Sequence, residues 1–162
     1  MKYCEKKENI LRATIGLILV LSSFTAQSQI TVQPVQNFNF GTFIGGQTGG
    51  TIEVSADGTR TGTGDIYLIN SGTAPSQAIF EIEAPEGTII SFLTEDAILT
   101  GSNGGSMTLK IGETAPLSPF NISVAPPGRT QLRLGGTLMV GDRSQSPPGE
   151  YQGTLTINFN YQ

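Results

Sequence analysis

The side chains in this sequence that could do chemistry are nearly all carboxylates. Glu81 and Glu83 lie two positions apart, which on a strand puts them on one face, and Glu86 follows. Glycoside hydrolysis uses paired carboxylates a few ångströms apart. Here the pair sits in an ordinary alternating stretch between Ile79 and Ala84, and the sequence holds no tryptophan to stack on a sugar. A solvated sheet face is the simpler reading. Asp57, Asp65, Glu95 and Asp96 offer the oxygen ligands that Ca²⁺ takes, but not at the spacing of a calcium loop. There is no histidine, which removes Ser-His triads, imidazole acid–base chemistry and the commonest zinc ligands. The single cysteine, Cys4, lies in the leader described next, so the rest of the chain has no thiol nucleophile and no disulfide. The expectation is a protein that is not an enzyme and carries no cofactor or metal.

Residues 1–28 read as a cleavable export signal. Lys2, Lys6, Lys7 and Arg12 precede the apolar run Ile15-Gly-Leu-Ile-Leu-Val-Leu21, and Ala26-Gln27-Ser28 places small residues where a signal peptidase reads. The run falls short of the roughly 20 apolar residues that a bilayer span needs. Cys4 precedes the run rather than following it, which excludes a lipid-anchored cysteine at the cleavage site. The expected destination is the periplasm, then the cell surface or the medium, with no membrane attachment after cleavage. Residues 29–162 suit a single domain. Five basic and eleven acidic side chains give this segment a net charge of −6, without basic clusters. That balance argues against nucleic-acid partners and against anionic membranes.

The elements that would position any site read as strands. Ile52-Glu-Val54, Ile66-Tyr-Leu68, Ile79-Phe-Glu-Ile82, Ile89-Ile-Ser-Phe92, Met107-Thr-Leu-Lys-Ile111, Phe120-Asn-Ile122 and Leu132-Arg-Leu134 are short apolar or alternating runs. Turn chemistry separates them at Asp57-Gly58, Asn70-Ser-Gly72, Pro85-Glu-Gly87, Asn103-Gly-Gly105, Pro126-Pro-Gly128 and Pro147-Pro-Gly149. No stretch keeps a helical period. Turns at this frequency predict an all-β, antiparallel sandwich or barrel. Gly49-Gly-Thr51, Gly104-Gly-Ser106 and Gly135-Gly-Thr137 each precede an apolar-x-apolar run, and each reads as a turn or bulge feeding a strand. A phosphate-cradling loop would need a following helix, and none is predicted.

The C-terminus carries the strongest pattern. Tyr151, Gly153, Leu155, Ile157, Phe159 and Tyr161 alternate with Gln152, Thr154, Thr156, Asn158, Asn160 and Gln162. Such alternation predicts one strand of roughly 40 Å, apolar on one face and polar on the other.

Phe40-Gly-Thr-Phe43, Gly49-Gly-Thr51, Ser55-Ala-Asp-Gly-Thr-Arg60, Gly135-Gly-Thr-Leu-Met-Val-Gly141 and Pro148-Gly-Glu-Tyr-Gln-Gly-Thr-Leu-Thr-Ile157 occur in this order. Together they resemble the secreted bacterial family known as domain of unknown function 4402, over about residues 30–162. The tail also resembles chaperone–usher pilins and spore-coat-U-like subunits. Those proteins have a glycine fourteen residues from the C-terminus and a penultimate tyrosine, matched here by Gly149 and Tyr161. This second resemblance implies an immunoglobulin-like sandwich that lacks one strand and is completed by a neighbour's N-terminal segment. It makes Gly149, Tyr151, Leu155, Ile157, Phe159 and Tyr161 an assembly strand, with a periplasmic chaperone, an usher or another copy as partner. Ile30, Val32, Phe38 and Phe40 share one parity and form a candidate donor segment, interrupted by Pro34 and Gln36. The same segment also fits the first strand of a complete sandwich.

Two functions are therefore expected to compete. One is a structural or assembly subunit of the cell surface that joins its neighbours through terminal strands. The other is a stand-alone, non-catalytic surface binding module, with glycans as ligand and exposed aromatics on loops holding Phe43 and Tyr67.

Overall fold

A computed structural model describes residues 30–162. The export signal expected over residues 1–28 lies outside the described residues. Within them every regular element is a strand, and all strand pairings are antiparallel.

The strand β9 (Thr130–Val140) organises the molecule. One edge pairs with β7 (Ser106–Ala115) along most of its length. The other edge is shared: β4 (Ala78–Glu83) takes residues 130–134, and β2 (Thr42–Val54) takes residues 136–140. Gly135 and Gly136 mark the changeover. A Cβ on Gly135 would come within 2.8 Å of the Ala56 nitrogen, and one on Gly136 within 2.9 Å of Leu109 and 3.1 Å of the Phe38 ring. This third Gly-Gly pair is not a turn, and it faces the register shift of β7 between Ile111 and Thr114. It lies in mid-strand, where three segments crowd the backbone too closely for a side chain. The first two pairs behave as expected: register shifts between Gly45 and Gly50, and Gly104-Gly105 turns the chain into β7 at positive φ.

Each half of β9 supports its own core. On the C-terminal half, β3 (Arg60–Ile69), β2, β9, β7, β6 (Ala97–Gly101) and β10 (Tyr151–Gln152) curl into an open sheet. Its concave side buries Phe40, Ile52, Val54, Met107, Leu109, Leu138 and Val140. On the N-terminal half, β1 (Thr31–Gln36), β4 and β9 face a second sheet of β11 (Ile157–Tyr161), β5 (Ile89–Thr94) and β8 (Phe120–Asn121). Ile82, Ile90, Phe120, Ile122, Leu132 and Leu134 fill the space between. The result is a sandwich-like all-β domain in which Phe38 touches both cores.

Period-two patterning explains most of this burial. In β9, Leu132, Leu134, Leu138 and Val140 point inward, while Gln131, Arg133 and Met139 are exposed. β6 was not among the expected strands, because Ala97-Ile-Leu99 does not alternate. It buries Ala97 and leaves Ile98 in solvent.

The C-terminal run departs from the single long strand expected. It divides into β10, paired with β6 of the curled sheet, and β11, paired with β5 of the second sheet, with residues 153–156 outside any ladder. Gly153 accounts for the break: a Cβ there would lie 2.5 Å from the Ile98 carbonyl oxygen, so only glycine lets the chain cross so close to β6. The alternation survives the crossing. Leu155 packs against the first core, and Ile157 and Phe159 against the second.

Candidate functional site

Two strands have a partner on one edge only and border the same side of the second core. Among the described residues β1 pairs with β4 alone, and β11 with β5 alone. The four residues joining β7 to β8 keep β8 on the β7 side, while the Phe159 ring meets Phe80 of β4 with centroids 6.0 Å apart. β11 therefore lies across from β4, beside β1.

The two edges differ in chemistry. β1 contains Pro34, which has no N–H to offer, and a register shift between Pro34 and Gln36. Both are devices that discourage further pairing. β11, Ile157-Asn-Phe-Asn-Tyr161, has no charge, no proline and no irregularity of register. Its hydrogen-bonding parity can be fixed. Ile89 and Gln162 exchange both backbone bonds, at 3.0 and 3.1 Å. Bonded pairs alternate along an antiparallel ladder. Asn158 and Asn160 therefore also bond to β5, and the N–H and C=O groups of Ile157, Phe159 and Tyr161 turn toward the open edge.

A second feature lies over the first core. A cleft of about 1220 Å³ separates the N-terminal half of β2 from residues 149–155. Phe40, Leu138 and Val140 form its floor, and Phe43, Leu99, Tyr151 and Leu155 its walls. Arg143 and Glu150 supply its charged lining. Thr42–Gly45 pair with β3 only, and β10 with β6 only, so both lips are single-edged strands. The Tyr151 hydroxyl donates to the Pro147 carbonyl at 2.6 Å, and burial raises its phenol above the ordinary value.

The residues expected at an assembly site separate in space. Ile157, Phe159 and Tyr161 share β11, whereas Tyr151 and Leu155 belong to the cleft. Tyr161 is 65% exposed, unlike the half-buried Phe159. Gly149 is in no strand; it lies in a loop that Ser102 and Asn103 hold through Glu150 N–H and the Pro148 carbonyl. Ile30, Val32, Phe38 and Phe40 do not form a free arm here. Residues 31–36 pair with β4 of the same chain, Ile30 and Val32 pack on the second core, and Phe38 stacks on the buried Phe40 at 5.9 Å. Of the two fits open to this segment, the structure has the first strand of the domain's own sheet. Phe43 and Tyr67 lie on β2 and β3 rather than on loops. Phe43 points into the first core, and Tyr67 stands exposed on the outer face beside Ile44.

The carboxylates serve structure. Glu81 and Glu83 both bind Arg129, at 3.0 and 3.4 Å. Its guanidinium pKa is raised, first by the hydrogen bond to Glu81 and then by that to Glu83. Asp65 accepts the Gln47 N–H at 2.6 Å and so fastens the irregular part of β2. Asp57 and Asp142 lie below the usual carboxylate range, through the hydroxyls of Ser55 and Ser144 first and neighbouring backbone N–H groups next. Among the described residues no three His, Cys, Asp or Glu side chains cluster as metal ligands, and no helix is long and apolar enough to cross a membrane.

Sequence reasoning missed the cleft and the asymmetry of the two edges. Pro34 was the available signal for the second.

Fold and edges together define a sandwich-like all-β domain with single-edged strands. The chain belongs to the family described as Domain of unknown function (DUF4402), whose model matches residues 30–161. Neither a curated protein nor a solved structure matches it.

Proposed function

We propose that this protein is an exported subunit of a bacterial cell-surface or extracellular structure, and that it assembles by strand pairing at the open edge of β11. One observation carries the reading: β11 offers the unpaired backbone groups of Ile157, Phe159 and Tyr161 without any of the devices that normally blunt an edge. Strand addition at such an edge draws affinity from main-chain hydrogen bonds. The export signal read in residues 1–28 and the pilin-like Gly149 and Tyr161 support the same reading. A periplasmic chaperone, an usher or another subunit is the class of partner this chemistry fits.

Tyr161→Pro tests it cleanly. The Tyr161 N–H faces away from β5, so proline removes a donor from the open edge and leaves the β5 ladder intact. Export and surface display should fall sharply in this variant while its urea midpoint stays near that of the parent. Normal display would sink the proposal.

A second reading, a stand-alone binding module for glycans, draws on the exposed Tyr67 beside Ile44 and on the mixed polar and apolar lining of the cleft. It predicts hits on a glycan array that Tyr67→Ala or Tyr151→Ala abolishes.

A further inference from the structure

The sequence of β11 reads nearly the same in both directions about Phe159: Ile157-Asn158-Phe159-Asn160-Tyr161. The residues whose backbone groups face the open edge are Ile157, Phe159 and Tyr161, the centre of that sequence and the two positions flanking it symmetrically. We infer that β11 pairs edge to edge with β11 of a second copy of this chain, antiparallel, about a two-fold axis through Phe159. The inference rests on the reading that this edge is an assembly edge, and it names the partner.

Each consequence of the symmetry is favourable. An isologous contact sets every residue against its mirror position. Phe159 would form a bonded pair with the second copy's Phe159, and Ile157 with the second copy's Tyr161. Asn158 would stand opposite the second copy's Asn160 in a non-bonded pair, where side chains approach most closely. Like charges meeting across an axis are the usual obstacle to self-pairing, and this strand has no charge. The strands of the second sheet contain no Asp, Glu, Lys or Arg, and Glu86 and Glu95 lie outside them. Tyr161, left 65% exposed at the end of β11, would gain a neighbour in Ile157. Among the described residues the other edges lack these properties: β8 and β10 are two residues long. β1 contains Pro34, and β3, the other outer strand of the curled sheet, carries Arg60 and Asp65.

A strand of this length buries less than the roughly 1,200 Å² of a standard stable interface, so the dimer should be concentration-dependent rather than permanent. That suits a joint between subunits that strengthens when copies are concentrated at one surface.

The test uses full chains in a Cys4→Ser background, so that an introduced thiol is the only one. Asn158→Cys and Asn160→Cys chains are prepared separately and oxidised alone and mixed, under conditions where sedimentation reports on dimer formation. Both positions lie on the outer face of the sheet, away from the core. Direct cross-strand neighbours are about 4.5–5.5 Å apart and diagonal ones about 7–8 Å. The mixture should therefore give several-fold more disulfide-linked dimer than either variant alone. In the Cys4→Ser background without new cysteines, Tyr161→Pro should weaken the dimer about tenfold or more. Preferential cross-linking of a single variant with itself would overturn the two-fold register while leaving β11 an assembly edge. A chain that stays monomeric and uncross-linked at every concentration would overturn self-pairing. Loss of display by Tyr161→Pro would then keep the assembly reading with a different partner, and normal display would end both.

Discussion

Phe159 and Tyr161 share a strand and a face, yet their burial predicts opposite costs of truncation. The Phe159 ring packs against the second core, edge-on to Phe80 and tilted against Phe92, with both centroids at 6.0 Å. Removing a buried phenylalanine side chain costs about 3–5 kcal/mol, a figure that includes its aromatic contacts. Phe159 keeps part of its surface in water, so the lower end applies, and Phe159→Ala should cost about 3 kcal/mol. Tyr161 is 65% exposed and its hydroxyl donates no hydrogen bond to another described residue, so Tyr161→Ala should cost less than about 0.5 kcal/mol. Urea unfolding at low protein concentration, where self-association is negligible, measures both. With a denaturant slope of about 2 kcal/mol per molar, the Phe159 variant should lose roughly 1.5 M of its midpoint, and the Tyr161 variant should be hard to tell from the parent. Equal, large losses at both positions would mean that Tyr161 is buried as Phe159 is, and the exposed end of β11 would be wrong.

Gly153→Val tests the crossing from β10 to β11 directly. Its Cβ would meet the Ile98 carbonyl oxygen at 2.5 Å, and forced side chains of this kind cost typically 1–3 kcal/mol, readable in the same urea assay. The acid limb of stability should depend on Asp57 and Asp142. Both are depressed in the folded state, so the stabilisation they bring is complete above the unfolded carboxylate pKa of about 4 and is lost as pH falls through their lower folded values. The double variant Asp57→Asn, Asp142→Asn should show a flatter urea midpoint between about pH 5 and pH 2 than the parent; parallel profiles would refute the assignment.

Much of the fold can be read locally. Leu132-Arg-Leu134, Met107-Thr-Leu109 and Ile52-Glu-Val54 announce their strands because one face of each is fully buried, and the burial imposes the period. Every predicted turn falls between strands for an equally local reason, the conformational freedom of Asn-Gly and the rigidity of Pro-Pro-Gly. What could not be read is the partner of each strand. The alternation from Tyr151 to Tyr161 is the same whether one strand serves one sheet or two half-strands serve two. Only the approach of Ile98 to Gly153, two residues in contact in space but more than fifty apart in sequence, decides between them. Likewise Ile30 and Val32 alternate equally well for a donor arm and for a strand docked on β4.

The site was legible in its residues but not in its geometry, because an edge is defined by what does not pair with it. Ile157, Phe159 and Tyr161 could be named from the pattern, yet the pattern cannot say which backbone groups are spent on β5. The exchange between Ile89 and Gln162 settles that, and it changes how the strand must be probed. Charges at Ile157 or Phe159 would destroy the second core along with any interface, so their failure to assemble would carry no information. Substitutions that touch only the outward groups of β11 separate the two effects. A domain that protects β1 with Pro34 and leaves β11 neutral and open treats these two edges of its second core differently. Selection against aggregation blunts both edges of a protein with no use for either. The unblunted edge is therefore the one on which function should be sought.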